Sequence, residues 1–277
     1  MTTRDLIKSG GERLLRAGVQ NAHHDARALL SYVLDRPAME LEALPSAVKD
    51  SDAERFECLI ARREKREPLQ YILSQAWFMG YRFKVAEGVL IPRADTETVC
   101  LCVLKSLPER ARVLDLCTGS GALAVAIKKE RPDASVYASD ISPVALSCAR
   151  HNADANKADI VFFEGDLFAP VEGTFNLIVC NPPYIKRAEL DTLQEEVRRE
   201  PRLALDGGSD GLDFYRRVIT EAPRYLRQNG VIVLEIGDGE AEAVKALAAA
   251  HFTGLSIESD LGGLPRALRG VLKEETA

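Results

Sequence analysis

From about residue 95 onward, short apolar runs with strand character alternate with helical segments. This alternation restricts the fold more than any other property of the chain. Residues 112–116, 134–139, 160–163, 175–180 and 231–236 read as strands, and 121–130 reads as a helix. Ser142-Pro143 opens another helix, with proline at the first helical position. A helix at about 239–250 and strand candidates near 255–259 and 266–273 complete the pattern. Parallel strands need long crossovers, and helices supply them while covering both faces of the sheet. The expected class is therefore α/β with a mainly parallel sheet.

The first 67 residues lack strand signals. Leu6, Ile7, Leu14 and Leu15 recur at helix spacing, as do Ala26, Leu29, Leu30, Val33 and Leu34. Pro37 and Pro45 punctuate the next stretch, and Ser51-Asp52-Ala53-Glu54 fits a capping box ahead of Phe56, Leu59 and Ile60. We read 1–67 as a small all-α domain, either a stabilising cap or a docking module. Between 68 and 92, Gln70-Tyr71-Ile72-Leu73 and Tyr81-Arg82-Phe83-Lys84-Val85 are β-type runs with Gly80 and Gly88 at the breaks. They predict an extended or hairpin-like linker, which leaves 93–277 for the α/β domain.

Several function classes are disfavoured. The net charge of −6 argues against wrapping long nucleic acid by phosphate neutralisation. The six cysteines form no C-x-x-C pair, and the four histidines have no ligand spacing. We expect reduced cysteines, no metal site and a cytoplasmic setting. No apolar run approaches the ~18 residues of a membrane span. The first residues lack the apolar core of a signal peptide.

In open α/β sheets, ligands bind outside the carboxyl ends of the strands. Three such ends carry suggestive chemistry here. Asp115-Leu116-Cys117-Thr118-Gly119-Ser120-Gly121 is a glycine-bearing turn after the 112–116 strand. It lacks the third glycine of G-x-G-x-x-G and the Lys-Ser/Thr of a phosphate loop. Asp140 closes the next strand, where a carboxylate can accept both ribose hydroxyls. Asp166 comes after the third and can accept an adenine amino group, with Leu167 and Phe168 as an apolar wall. Amino-acid, ribose and adenine contacts in that order resemble the S-adenosylmethionine site of class I (Rossmann-like) methyltransferases, over roughly residues 90–277. That superfamily usually has glycine where Cys117 stands, which predicts a pocket that binds the cofactor more weakly.

Asn181-Pro182-Pro183-Tyr184 comes directly after the 175–180 strand. In a class I methyltransferase this motif marks methylation of an NH2 conjugated to a π-system: adenine, cytosine or a glutamine amide. Such a nitrogen is a poor nucleophile. If the Asn181 side-chain oxygen and the Pro182 carbonyl each accept one N–H, they aim the nitrogen at the methyl group; Asn181 is also expected to contact the cofactor. The prolines fix φ and so the direction of the carbonyl. Tyr184 can stack on the flat acceptor. Transfer then proceeds through proximity and orientation. No strong general base is visible beside the motif, so the proton is expected to leave after transfer.

The wider context narrows the acceptor. Glu67-Pro68-Leu69-Gln70-Tyr71-Ile72, Gly88-Val89-Leu90-Ile91-Pro92-Arg93, Glu200-Pro201-Arg202-Leu203-Ala204-Leu205-Asp206-Gly207-Gly208 and Leu234-Glu235-Ile236-Gly237 appear in this order. Together with the central motif they resemble the HemK/PrmC family of protein-(glutamine) N-methyltransferases. The resemblance implies that the acceptor is the glutamine of a Gly-Gly-Gln motif on class 1 peptide chain release factors. It also implies that the helical region grips the release factor; from the net charge, no stable nucleic-acid binding is expected. The family usually has proline after Arg93, where this chain has Ala94. Arg93, Glu97 and Arg202 also fit surface or inter-domain ion pairs. An adenine amino-group methyltransferase acting on DNA or RNA remains the rival reading, with a non-catalytic adaptor behind it.

Overall fold

The computed structural model describes residues 1–274. Two units emerge: Met1–Ser74 with Gln194–Arg199, and Gln75–Leu193 with the residues from Glu200 onward.

The first unit is helical: α1 (Thr3–Arg16), α2 (Ala22–Leu34), α3 (Ala38–Ala43), α4 (Asp50–Glu64) and α5 (Leu69–Leu73). A capping box starts α1: the Thr2 hydroxyl accepts the Asp5 N–H, and the Asp5 carboxylate accepts the Thr2 N–H at 2.9 Å. Leu6, Leu14, Leu29, Leu30, Phe56 and Ile60 form the core. A side chain at Gly10 would place Cβ 2.8 Å from the Phe56 ring, so only glycine lets the α1 backbone approach α4 this closely. Arg63 is buried, with Nε on Asp25 at 2.8 Å and Nη2 on Glu196 at 2.7 Å. Arg66 grips both Glu196 oxygens, through Nε and Nη2.

Two local expectations fail in this unit. The capping box at Ser51 is not formed: α4 starts at Asp50 behind Lys49, whose side chain makes no cap. Gln70 to Leu73 is helix rather than strand, entered through Pro68, and Ile72 packs into the helical core. The hairpin begins only at Ala76.

The second unit contains β1 (Ala76–Phe78), β2 (Tyr81–Phe83), α6 (Thr96–Ser106), β3 (Arg112–Leu116), α7 (Ala122–Glu130), β4 (Ser135–Asp140) and α8 (Pro143–Asn156). After these come β5 (Ile160–Glu164), β6 (Phe175–Cys180), α9 (Glu195–Arg198, grouped with the helical unit), α10 (Asp213–Glu221), β7 (Leu226–Glu235), α11 (Ala241–Ala248), β8 (Phe252–Ser259) and β9 (Pro265–Leu272). The seven-stranded order is β5-β4-β3-β6-β7-β9-β8, with β9 antiparallel to both neighbours.

Side chains alternate between faces, as the pleat requires. Val113, Leu177, Val179, Val231 and Val233 pack with α6, α7 and the β1–β2 hairpin. Leu114, Leu116, Ile178, Ile232 and Leu234 pack with α10 and α11. The register aligns Leu116 with Ser139 and Cys180, and Cys180 with Leu234. The carboxyl ends of β4, β3, β6 and β7 therefore finish level, and the residues just beyond them share one edge.

Candidate active site

A cavity of about 210 Å³ opens at that edge. Cys117, Gly119, Asp140, Asp166, Leu167, Asn181 and Pro183 line it. Leu90, Pro201, Leu203, Phe214 and Arg217 also line it; none of these was singled out for the site from the sequence.

The β3–α7 turn owes its shape to Asp115. This carboxyl is fully buried: Oδ2 accepts the Thr118 hydroxyl at 2.6 Å, and Oδ1 has no hydrogen-bond partner among the described residues. Burial pushes its pKa up to about 7, against the opposing bond from the Thr118 hydroxyl. Asp115, Thr118, Ser120 and Gly121 build the turn without lining the cavity, whereas Cys117 and Gly119 face it. Cys117 sits at φ 58° and Leu167 at φ 50°, a left-handed region that costs a side-chain-bearing residue ~1–2 kcal/mol. Phe168 is not part of the wall: it is buried and stacked on Tyr225 at 4.6 Å.

Asp140 accepts the Gly119 N–H on Oδ2 at 2.8 Å and the Ser142 N–H on Oδ1 at 2.9 Å. Each carboxylate oxygen keeps a second lone pair, enough for two hydroxyls of a ribose. Burial raises the Asp140 pKa. Asp166 pairs through Oδ2 with Arg217 at 2.7 Å, which leaves its other oxygen for an amino group. An added Cβ at Gly119 would meet nothing within 4 Å, so the turn is open on the cavity side. These carboxylate acceptors fit the hydroxyls and amino group of a nucleoside.

Asn181 lies one residue beyond β6. Its Nδ2 donates to the Thr96 hydroxyl at 3.4 Å, which leaves Oδ1 as an acceptor without a hydrogen bond among the described residues, on a residue that lines the cavity. Pro182 and Pro183 are buried, and only Pro183 lines the cavity. Tyr184 is half-buried outside the wall, and its hydroxyl donates to Glu235 Oε1 at 3.3 Å. Burial, reinforced by the Glu235 charge, raises the Tyr184 pKa. Glu235 itself is 2% exposed and pushed up to about 7 by burial, which the Thr96 and Tyr184 hydroxyls oppose. Sequence reasoning missed Glu235 and Thr96 as site residues. The available signal was a carboxylate closing an otherwise apolar strand.

The flanking motifs acquire physical reasons. Glu200 is buried and accepts the Ile91 N–H at 3.0 Å while pairing with Arg93, so the Ile-Pro-Arg and Glu-Pro-Arg segments clasp each other. The Arg93 pair therefore lies within the sheet unit. Glu97 accepts the Met79 N–H at 2.6 Å, and Arg202 stands 3.7 Å from Asp206. Ile185 donates to Leu205 at 2.9 Å and accepts from Gly207 at 2.8 Å, which pins the chain after Tyr184. A Cβ on Gly207 would come within 2.7 Å of the Tyr184 backbone. Glycine is needed there so that this loop can press against the motif.

Among the described residues, no group of three or more His, Cys, Asp or Glu side chains is placed to hold a metal ion. Likewise, no helix is long and apolar enough to cross a membrane.

Residues 86–209 match the methyltransferase small domain family, and residues 5–73 match the PrmC N-terminal domain family. The chain is 43% identical over 262 residues to a release factor glutamine methyltransferase of Geobacter sulfurreducens, covering 93% of this chain and 92% of that one. It belongs to the release factor glutamine methyltransferase family. A family member from Moorella thermoacetica is 40% identical over 284 residues, covering 99% of this chain and all of its own. Among solved structures, a methyltransferase from Pyrococcus furiosus shares the fold with a TM-score of 0.54 at 18% identity, over 70% of this chain and 90% of that one. The release factor glutamine methyltransferase fold seen here is thus the class I methyltransferase α/β fold with a helical N-terminal region.

Proposed function

We propose that this enzyme transfers a methyl group from S-adenosylmethionine to the side-chain amide nitrogen of the glutamine in the Gly-Gly-Gln motif of a class 1 peptide chain release factor. The observation that carries this reading is the 43% identity over nearly the whole length of a relative named as a release factor glutamine methyltransferase. The geometry supports it. The turn 115–121 would hold the amino-acid part of the cofactor, Asp140 the ribose and Asp166 the adenine amino group. When bound, the cofactor supplies an activated methyl group. Asn181 Oδ1 and the Pro182 carbonyl would accept the two N–H groups of the glutamine amide and present its nitrogen to that methyl. Pro183 and Leu203, both on the cavity wall, would keep water from the reacting atoms. The helical unit would dock the release factor, and the setting would be cytoplasmic.

The test offers radiolabelled cofactor with release factor, a Gln→Ala release factor and duplex DNA in parallel. Label on intact release factor alone is expected. Label on DNA but not on the release factor would overturn the reading in favour of an amino-group methyltransferase of nucleic acid.

A further inference from the structure

Glu235 is a charged residue with almost no access to water, and its surroundings do not neutralise it fully. It ends β7, one step past the Cys180–Leu234 pairing, and so flanks Asn181 across the sheet. Its Oε1 accepts the Tyr184 hydroxyl, while Oε2 has no hydrogen-bond partner among the described residues. The Thr96 hydroxyl, from the start of α6, is near enough to the same carboxyl to favour its charged form, and as a donor it is engaged by no other group among the described residues. Thr96 is also buried, and its oxygen accepts from Asn181 Nδ2 at 3.4 Å. Leaving a buried carboxylate oxygen without a donor is unfavourable, so a carboxylate kept here needs a reason beyond packing.

A threonine hydroxyl has one hydrogen and two lone pairs, whereas a carboxylate only accepts. With Glu235 ionised, the Thr96 hydrogen is drawn to the carboxylate. The Thr96 oxygen can then act toward Asn181 only as an acceptor. That forces the Asn181 amide to present Nδ2 to Thr96 and Oδ1 to the cavity. An asparagine amide has two nearly isosteric orientations, and the wrong one would put an N–H donor where the acceptor's own N–H must bind.

We propose that Glu235 is a positioning residue that, through Thr96, sets the orientation of the Asn181 amide so that its oxygen faces the methyl acceptor. The inference rests on the proposed function. Glu235 touches neither acceptor nor cofactor; it acts by assigning donor and acceptor roles along a chain of three side chains. Its contact with Tyr184 fixes the other end of the same motif.

Glu235→Gln keeps the shape but adds a donor, which allows the Thr96 hydrogen to turn toward Asn181 and the amide to flip. Thr96→Val removes the intermediary; Thr96→Ser restores it. Misorientation of a positioning group costs on the order of 100-fold in rate. We expect Glu235→Gln and Thr96→Val each to lower kcat for release factor methylation by about that factor. Cofactor Kd, measured by calorimetry, should stay within about twofold, because neither residue lines the cavity. Thr96→Ser should recover most of what Thr96→Val loses.

The pH profile supplies an independent readout. The groups facing the Glu235 carboxyl are the Tyr184 and Thr96 hydroxyls, Arg266 and Asp95. Arg266 is itself paired with Asp95 at 3.2 Å and Asp260 at 2.8 Å. Burial brings Glu235 to about 7, so wild-type kcat should fall as pH drops through neutrality, and Glu235→Gln should lose that limb. Wild-type enzyme that fails to label the release factor refutes the proposed function. Wild-type enzyme that labels it, beside a Glu235→Gln enzyme of equal kcat and unchanged pH profile, refutes the positioning role alone. If Glu235→Gln does not fold, Thr96→Val against Thr96→Ser decides the same question.

Discussion

In the helical unit, the buried Asp25 carboxylate meets the Arg63 guanidinium, which also holds Glu196. In the sheet unit, buried Asp115 and Glu235 each carry an oxygen with no partner among the described residues. Burial opposes the charge of Glu196, but Arg66 and Arg63 prevail and hold its pKa down at about 2. Burial drives Asp115, Glu235 and Glu240 up to about 7. The contrast tracks function. A buried pair whose task is to hold a core together can be completed. A site that must bind a ligand or orient an amide leaves acceptors open and bears the cost.

The largest expected effect lies at the motif itself. Asn181→Ala removes an acceptor that paired scaffold residues cannot replace, and should lower the single-turnover rate by about 10²- to 10³-fold, the scale seen when a preorganised polar contact to the reacting group is lost. Cofactor affinity, followed by calorimetry, should change little. Equal loss of both would assign Asn181 to the cofactor and weaken the division of labour drawn here.

Next in size is the paired core. Arg63→Ala leaves Asp25 buried without its partner and should destabilise the helical unit by about 3–5 kcal/mol. Urea unfolding with peptide-resolved labelling would report it, with peptides of the sheet unit far less affected. A uniform loss across both units would erase the distinction between them.

Smaller, but opposite in sign between the units, is the response to pH. Glu196 has a depressed folded pKa, so its stabilisation is full above 4.5 and is lost as pH falls toward about 2. Glu235 has a raised folded pKa: the folded state binds the extra proton, so stability falls as pH rises from 4.5 to about 7. Asp115 acts in the same sense over its own window, 3.8 to about 7. The same labelling experiment between pH 4.5 and about 7 should show the sheet unit weakening toward neutrality while the helical unit stays level. Parallel behaviour of the two units would contradict the contrast.

The smallest effect concerns Cys117, whose left-handed backbone at φ 58° suits glycine. Cys117→Gly should relieve about 1 kcal/mol of strain and open the cavity wall, tightening cofactor binding several-fold. Unchanged affinity by calorimetry would show that the thiol does not obstruct the cofactor.

Much of this was legible in the chain. The alternation from residue 95 prescribed the parallel sheet, because runs such as 175–180 are too apolar to stand anywhere but between covered faces. Asp140, Asp166 and Asn181 were legible because each stands at or just beyond the end of such a run. Gln70 to Leu73 was not, since four residues cannot separate a period of 2 from one of 3.6. Its helix depends on Ile72 reaching the core of the helical unit. Phe214 and Arg217 enter the cavity from α10, a helix the sequence reading did not resolve. Glu235 was visible as part of a motif, yet its part in the site depends on strand neighbours far away in sequence.

The most direct test of the proposed chemistry is where the methyl group lands. Release factor incubated with enzyme and trideuteromethyl cofactor can be digested and its peptides fragmented by mass spectrometry. A single labelled methyl is expected on the side-chain nitrogen of the Gly-Gly-Gln glutamine, absent with Asn181→Ala. Label on a different residue, or equal labelling by the variant, would contradict it.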